Sequence, residues 1–193
     1  MNETKLTTSD IYKELFRRIW QLIINPEKEW DVIKNENKTF NNVLSDFALP
    51  IIGLVTVAAF IGYTLKFQDF NLEYALKHTT IVFISLFASI YIIFFLLGLI
   101  MISDGFKKND VIALTIYSST MWHLLSFITE LIPELFFLNI FVIYNAFVIF
   151  QGAKIYMKGL SKGKIYFITT LLFITVHSFP FTMRFFLSRL III

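Results

Sequence analysis

Five long stretches without Asp, Glu, Lys or Arg constrain this chain more than any other feature of its sequence. The shortest of them has 19 residues, and a helix of that length rises about 28 Å, close to the hydrocarbon thickness of a bilayer. We therefore predict an all-α, polytopic membrane protein that has the lipid bilayer as a partner. The five predicted transmembrane helices are residues 47–65, 78–103, 111–129, 135–153 and 165–187.

Composition agrees with a membrane location and excludes a water-soluble enzyme. The 193 residues are 56% hydrophobic and 16% charged, with no cysteine, which is far from the balance of a soluble domain. The sequence contains neither a His-Glu-x-x-His zinc motif nor a Gly-rich phosphate loop. We predict a protein with no enzymatic activity, no catalytic residues and no cofactor. The net charge of +3 does not indicate nucleic-acid binding, because the cations gather beside the spans without a stripe of stacking aromatic residues.

The distribution of Lys and Arg predicts the orientation of the spans. With five crossings the termini lie on opposite sides, and 13 of the 17 cations then fall on the side of the N-terminus. Because Lys and Arg are retained in the cytoplasm during insertion, we predict a cytoplasmic N-terminus and an external C-terminus. The predicted division is a cytoplasmic segment at residues 1–45 and a five-span domain at residues 46–193, whose short loops leave no room for another domain.

The segment ahead of the first span is predicted to be helical. Apolar residues recur every three or four positions from Ile11 to Ile23, with Arg18 on the opposite face, which predicts an amphipathic helix in the membrane interface or against the bundle. An Asn-Pro pair ends it and begins a second helix that carries Trp30. These helices either only anchor and shield the cytoplasmic face or form a docking surface for a protein partner. In the first span, Pro50 is predicted to open or kink the helix.

Several short motifs follow one another along most of the chain. They are Asn25, Pro26 and Trp30 in the hexapeptide NPEKEW, Pro50 in the first span, Gly62 and Tyr63 near its end, Asp104 and Gly105 in a tight turn, Tyr117 and Ser118 in the third span, and Gly152 in the fourth. Their order resembles the Yip family of small five-span membrane proteins, and in particular its bacterial branch.

The resemblance implies a non-enzymatic scaffold or membrane-organising protein in the bacterial cytoplasmic (inner) membrane. Eukaryotic members of the family act in vesicle traffic, bind Rab-type GTPases and associate with other Yip proteins. A bacterial relative has no Rab to bind, so the implied contacts are with lipid or with a protein partner at the N-terminal helices, and self-association is left open. The family's prolines after the Tyr-Ser pair and after Gly152 are replaced here by Met121 and Lys154, so the bends at these two places are expected to be absent.

Polar side chains inside the spans are costly in hydrocarbon and are predicted to face the bundle interior or a wet cavity. His123 and His177 each lie twelve residues past the start of their charge-free run, about 18 Å from the cytoplasmic edge, and Asn145 falls within one helical turn of that level. The sequence therefore predicts a polar layer. Its members are His123, Asn145 and His177, with Ser119 on the face of His123 and with Glu130 and Arg184 nearer the external surface.

Three roles for this layer are left open by the residues alone. Its side chains form hydrogen bonds that fix helix packing, or they handle protons or a solute with Glu130 and Arg184 at the outer end. A metal site would need a ligand beyond the two imidazoles, and no metal is predicted. The alternative to a scaffold is therefore a small channel or transporter built around His123 and His177.

Overall fold

The computed structural model describes residues 8–66, 71–102 and 104–191, which are helical apart from short turns. Two helices, α1 (Thr8–Ile24) and α2 (Pro26–Glu36), precede five helical segments that are long and apolar enough to cross a membrane. The predicted all-α fold with five transmembrane helices is thereby confirmed. The ends of the predicted terminal segments, at residues 1–7 and 192–193, lie outside the described residues, as does Ser103 at the end of the predicted second span.

The first span runs over Phe40–Lys66, and therefore begins before the charge-free run that predicted it. It comprises α3 (Phe40–Val43), a π-helical turn (Leu44–Ala48) and α4 (Leu49–Lys66). Pro50 is the second residue of α4 and follows the π-helical turn inside one continuous helical segment. The π-helical turn changes the backbone hydrogen-bond pattern just before the residue that has no N–H.

The other four spans likewise extend beyond their charge-free runs. They consist of α5 (Leu72–Met101), the pair α6 (Lys108–Ser118) and α7 (Thr120–Leu131), a 3₁₀ helix (Pro133–Phe141) that leads into α8 (Val142–Tyr156), and α9 (Lys162–Ile191).

The third span, formed by α6 and α7, lies at the centre of the bundle. In its most apolar stretch 78% of the residues are buried, against 28% in the fourth and fifth spans. Its two helices pack against α4, α5, α8 and α9. The first span approaches it so closely that a Cβ on Gly62 would lie 1.8 Å from the carbonyl oxygen of Glu130. Only glycine fits at this contact between α4 and α7.

The third span is broken between α6 and α7, although it has no proline there. The Oγ atoms of Ser119 and Thr120 donate to carbonyls one turn earlier in the chain, and the amide of Asn145 in α8 donates to the carbonyl of Ser118 at 2.9 Å. Polar side chains therefore satisfy the backbone groups that the break would leave unpaired. The regular helical pattern is thus interrupted at Ser119, which has φ −85° and ψ −1°, although the family's proline is absent. In the fourth span α8 continues unbroken past Gly152 to Tyr156.

Candidate functional site

Helices α1 and α2 form a hairpin, called here the N-terminal hairpin, which packs along the side of α8. Tyr144 Oη donates to the carbonyl of Ile23 at 2.7 Å, where α1 ends. The Lys34 ammonium of α2 donates to the carbonyl of Ile155 at 2.8 Å, near the end of α8. Since Tyr144 and Tyr156 lie about 18 Å apart along α8, the hairpin follows this helix over three turns.

Trp30 anchors the N-terminal hairpin in a site called here the Trp30 seat, formed by Tyr117, Val148, Gly152 and Tyr156. Its side chain is completely buried, and its indole N–H donates to the carbonyl of Val148 at 2.9 Å. The rings of Tyr117 and Tyr156 meet the indole edge to face, with centroids 6.2 and 6.0 Å away.

Gly152 makes room for this indole. A Cβ on Gly152 would lie 2.6 Å from Cε2 of Trp30, a distance that real Cβ contacts do not reach. In the sequence, Trp30, Tyr117 and Gly152 belong to three separate motifs. In the structure Tyr117 and Gly152 both contact Trp30 at the Trp30 seat, and their spacing along the chain does not predict this contact.

A cluster of charges around the buried Arg18, called here the Arg18 cluster, joins α1 to α2. It consists of Glu14, Arg17, Arg18, Glu29 and Glu36. Arg18 is only 2% exposed, and its guanidinium lies 2.9 Å from the buried carboxylate of Glu29 and 2.5 Å from a carboxylate oxygen of Glu36. The sequence predicts Arg18 opposite the apolar face of α1, and in the structure this position is covered by α2. Carboxylates from the neighbouring helix compensate the charge where it is buried.

The hydrogen bonds of this cluster shift the pKa values of its members toward their charged forms. Two hydrogen bonds from Arg17, at 2.8 and 2.6 Å, lower the pKa of the Glu14 carboxyl, although partial burial opposes the shift. Burial by itself disfavours the charge on Arg18, but the hydrogen bond to Glu36 and the nearby carboxylates more than offset it and raise its pKa. Both side chains are charged at neutral pH.

The outward side of α1 carries an apolar row at four-residue spacing, called here the α1 stripe. Its members are Tyr12, Phe16, Trp20 and Ile24, and all four are exposed, Trp20 by 60%. Leu15, Ile19 and Leu22, on the adjoining part of the same helix surface, are buried. Helix α1 thus buries one part of its apolar surface in the bundle and has another part that no other described part of the chain covers.

The predicted polar layer is held mainly by local hydrogen bonds. His123 is buried and His177 is half-buried, and the Nδ1 of each donates to a carbonyl one turn earlier in its own helix, Ser119 at 2.7 Å and Phe173 at 2.6 Å. Asn145 is buried and bonds to the third span through Ser118. Among the hydrogen bonds of the described residues, none joins these three side chains to one another.

Glu130 and Arg184 form an ion pair between the third and fifth spans. His78 of α5 is hydrogen-bonded to the same carboxylate, with Nε2 and Oε2 3.0 Å apart, and Tyr63 stacks on its ring with centroids 5.5 Å apart. His78 is the first residue of its charge-free run, and nothing in its local sequence predicts this contact. Topology was the signal that could have indicated the contact. His78 lies at the start of the second span and Glu130 at the end of the third, and these two ends of antiparallel neighbours lie side by side.

The remaining motif residues lie in turns that join helices. Asn25 precedes Pro26, the first residue of α2, as predicted for a helix start. Gly105 has a φ of +87°, which favours glycine, and the carboxylate of Asp104 pairs with Lys164 at 2.7 Å. In the described ranges no three His, Cys, Asp or Glu side chains are grouped as a metal site would require.

Comparison with known proteins gives one match. The family model described as the Yip1 domain matches residues 20–183, which extend from α1 into α9. No curated protein and no solved structure matches the chain. The matched region contains the Trp30 seat and Glu130, and it ends one residue before Arg184.

Proposed function

The chain belongs to the Yip1 domain family, and from this premise we propose that it is a non-enzymatic membrane scaffold whose N-terminal hairpin holds a protein partner. Its five apolar helices make it an integral membrane protein in contact with the lipid bilayer. The partner we propose is another protein of the same membrane, which packs an apolar helix against the α1 stripe.

One observation carries this proposal: the α1 stripe is exposed on a hairpin that is itself fixed in place. Trp30 and the Arg18 cluster hold the hairpin to α8 and to itself, so little conformational freedom is lost when a partner binds. Tyr and Trp are enriched in protein interfaces because they combine a large apolar surface with a polar atom. Tyr12 and Trp20 provide two rings of this kind in one row, with the ring of Phe16 between them.

We further propose a cytoplasmic N-terminus in a bacterial inner membrane. In support, residues at the cationic ends of the spans contact the N-terminal segment or one another. Lys154 of α8 pairs with Glu27 of α2 at 3.3 Å, and Lys164 of α9 pairs with Asp104. The Asn109 amide of α6 donates to Asn37, which follows α2. Collecting the cations at one end suits retention in the cytoplasm. A reporter fused after Ile193 should be external, and a cytosolic reporter would contradict this orientation.

Site-specific photo-crosslinking in native membranes tests the scaffold role. A photoreactive residue at Trp20 is expected to give a protein adduct of discrete mass, and the adduct should disappear when Phe16→Ser is added. The same residue at Phe181, an equally exposed aromatic position of α9, serves as the control and should give lipid adducts. Lipid adducts alone at Trp20 would sink the proposal. Trp30 is unsuitable for this test because it is buried.

A channel or transporter built around His123 and His177 is not favoured. Each imidazole bonds to a carbonyl of its own helix, as polar side chains in membrane helices commonly do. Replacing both histidines with Gln should leave any solute flux into liposomes unchanged, and a loss of flux in a folded variant would revive the transport function.

A further inference from the structure

Two hollows adjoin each other where the start of the first span meets the end of α5 and the start of α6. The first has a volume of about 410 Å³ and polar walls that include Thr39, Asn41 and Lys108. The second, of about 510 Å³, is lined by Phe95, Gly98, Leu99 and Ile102. Phe94 and Lys108 line both hollows. Together they form one surface that changes from polar to apolar along its length.

The polar hollow presents hydrogen-bond donors without a neutralising acid. Lys108 is exposed and makes no ion pair with any described residue, and its ammonium lies 6.0 Å from the centre of the Phe94 ring. The exposed side chains of Thr39 and Asn41 make no hydrogen bond within the described part of the chain, and no described Asp or Glu lines either hollow. An ammonium, a hydroxyl and an amide are groups that bind a phosphate.

The apolar hollow continues from Lys108 along the outer surface of α5. Phe95, Leu99 and Ile102 are exposed there on a helix that is apolar enough to span a membrane, so this surface faces hydrocarbon. Gly98 leaves a gap between these side chains. A Cβ at Gly98 would meet only Ile102 Cδ1, at 3.7 Å, so the gap results from the missing side chain and not from tight packing.

From this arrangement we propose a binding site for an anionic phospholipid of the surrounding leaflet. Its phosphate accepts hydrogen bonds from Lys108, Thr39 and Asn41, and one acyl chain lies beside Gly98. A soluble phosphate would use only the polar hollow, and a zwitterionic lipid would gain less from the unpaired Lys108, because its own ammonium offsets the charge of its phosphate. The site lies outside the α1 stripe and does not depend on the proposed scaffold role.

Native mass spectrometry of the full-length protein in detergent tests the site with two probes that have identical acyl chains, phosphatidylglycerol and phosphatidylcholine. Phosphatidylglycerol is expected to bind more tightly. Lys108→Gln should weaken its binding about fivefold, the effect of one lysine at an anionic membrane surface, whereas Lys108→Arg should retain it. Lys158→Gln is the matched control, because Lys158 is exposed and makes no ion pair with a described residue, and it should leave binding unchanged.

A second pair of variants tests the acyl-chain groove. Gly98→Leu fills the gap without a backbone clash and should weaken binding of both lipids. Gly53→Leu, at a glycine of α4 with no atom within 4 Å of its added Cβ, should have no effect. The thermal midpoints of all variants establish that they are folded.

Three results would overturn the proposal. Equal binding of the two lipids would show that the charge on Lys108 is not used. Displacement of phosphatidylglycerol by inorganic phosphate would assign the polar hollow to a soluble anion. Unchanged binding in both folded variants, Lys108→Gln and Gly98→Leu, would place the lipid elsewhere on the protein.

Discussion

The Trp30 seat and the polar residues of the spans are built in opposite ways. At the seat, one indole contacts the third and fourth spans, and its hydrogen bond joins residues 118 positions apart. In the polar layer, His123 and His177 bond to carbonyls four positions away in their own helices. The comparison teaches that a polar residue in hydrocarbon does not by itself mark a hydrogen bond between helices, since His177 contacts the third span through its ring, edge to face with Trp122. Here an aromatic residue outside the spans makes the longer connection.

Asn145 and Glu130 lie between these two extremes. The Asn145 amide links the fourth span to the broken third span, and the Glu130 carboxylate holds Arg184 of the fifth span and His78 of the second. Polar side chains in this bundle therefore connect helices at two kinds of place: where a helix is interrupted and leaves a backbone carbonyl to be paired, and where a buried charge is compensated. The variants below test this difference, from the largest expected effect to the smallest.

Trp30→Ala is expected to lower the free energy of unfolding more than the other variants do. Removing a fully buried indole leaves a large cavity and removes the hydrogen bond to the Val148 carbonyl, and comparable substitutions lower the free energy of unfolding by about 3 to 5 kcal/mol. Denaturant unfolding in detergent measures this loss. Trp20→Ala is the matched control, because Trp20 is exposed, and it should change stability by less than about 0.5 kcal/mol. Equal losses in the two variants would refute the special role of the seat.

Gly152→Ala tests the same contact from the other side. The added methyl group lies too close to the Trp30 ring, and overpacking of this kind costs about 1 to 3 kcal/mol. The hairpin should also become more accessible to protease. Gly53→Ala, which meets no neighbouring atom within 4 Å, is expected to leave stability unchanged or slightly raised. A Gly152→Ala variant as stable as the Gly53→Ala variant would contradict the tight packing described here.

Asn145→Leu should have an intermediate effect. It removes the donor to the Ser118 carbonyl at the break in the third span, and hydrogen bonds between membrane helices contribute about 0.6 to 1.7 kcal/mol. Unfolding in detergent measures the loss. His177→Gln provides the comparison and should cost less, because the bond that it removes lies within α9. The reverse order of these two losses would show that the edge-to-face contact of His177 with Trp122 of the third span contributes more than the Asn145 hydrogen bond.

The smallest effect concerns pH. Because the folded-state pKa of Glu14 lies below its ordinary value of 4.5, its contribution to stability is fully present above that value and is lost as the pH falls through the folded-state pKa. The pair with Arg17 is exposed, so the contribution is a few tenths of a kcal/mol. The thermal midpoint of Glu14→Gln should therefore fall less steeply below pH 4.5 than that of the parent chain. Parallel curves would show that Glu14 carries no such linkage.

The sequence was sufficient to predict the fold and the family. Charge-free runs long enough to cross a bilayer leave helices as the solution, and the motifs from Asn25 to Gly152 lie within the matched Yip1 domain region. The depth of a residue along its helix can also be predicted, because it follows from counting residues. Which neighbouring helix a side chain faces cannot be predicted in this way, since one sequence does not show which spans are adjacent.

Two residues illustrate this limit. Arg18 was predicted to lie opposite the apolar face of α1, but that position does not reveal that α2 covers it and supplies Glu29 and Glu36. The third span has Met121 where the family has a proline, yet its helical pattern is interrupted at Ser119, and an amide of α8 donates to the carbonyl of Ser118. In both cases the deciding partner belongs to another helix, so local pattern could not predict the outcome.

The position of Val148 has a consequence for biosynthesis. The backbone oxygen that receives the Trp30 indole is synthesised 118 residues later, which at ribosomal speeds of about 5 to 20 residues per second is a delay of about 6 to 24 s. During this interval the nascent hairpin has no site on which to dock and leaves a large aromatic surface to the translocation machinery, to chaperones or to lipid. Helices α1 and α2 therefore complete their contacts with the bundle only after the fourth span has been made.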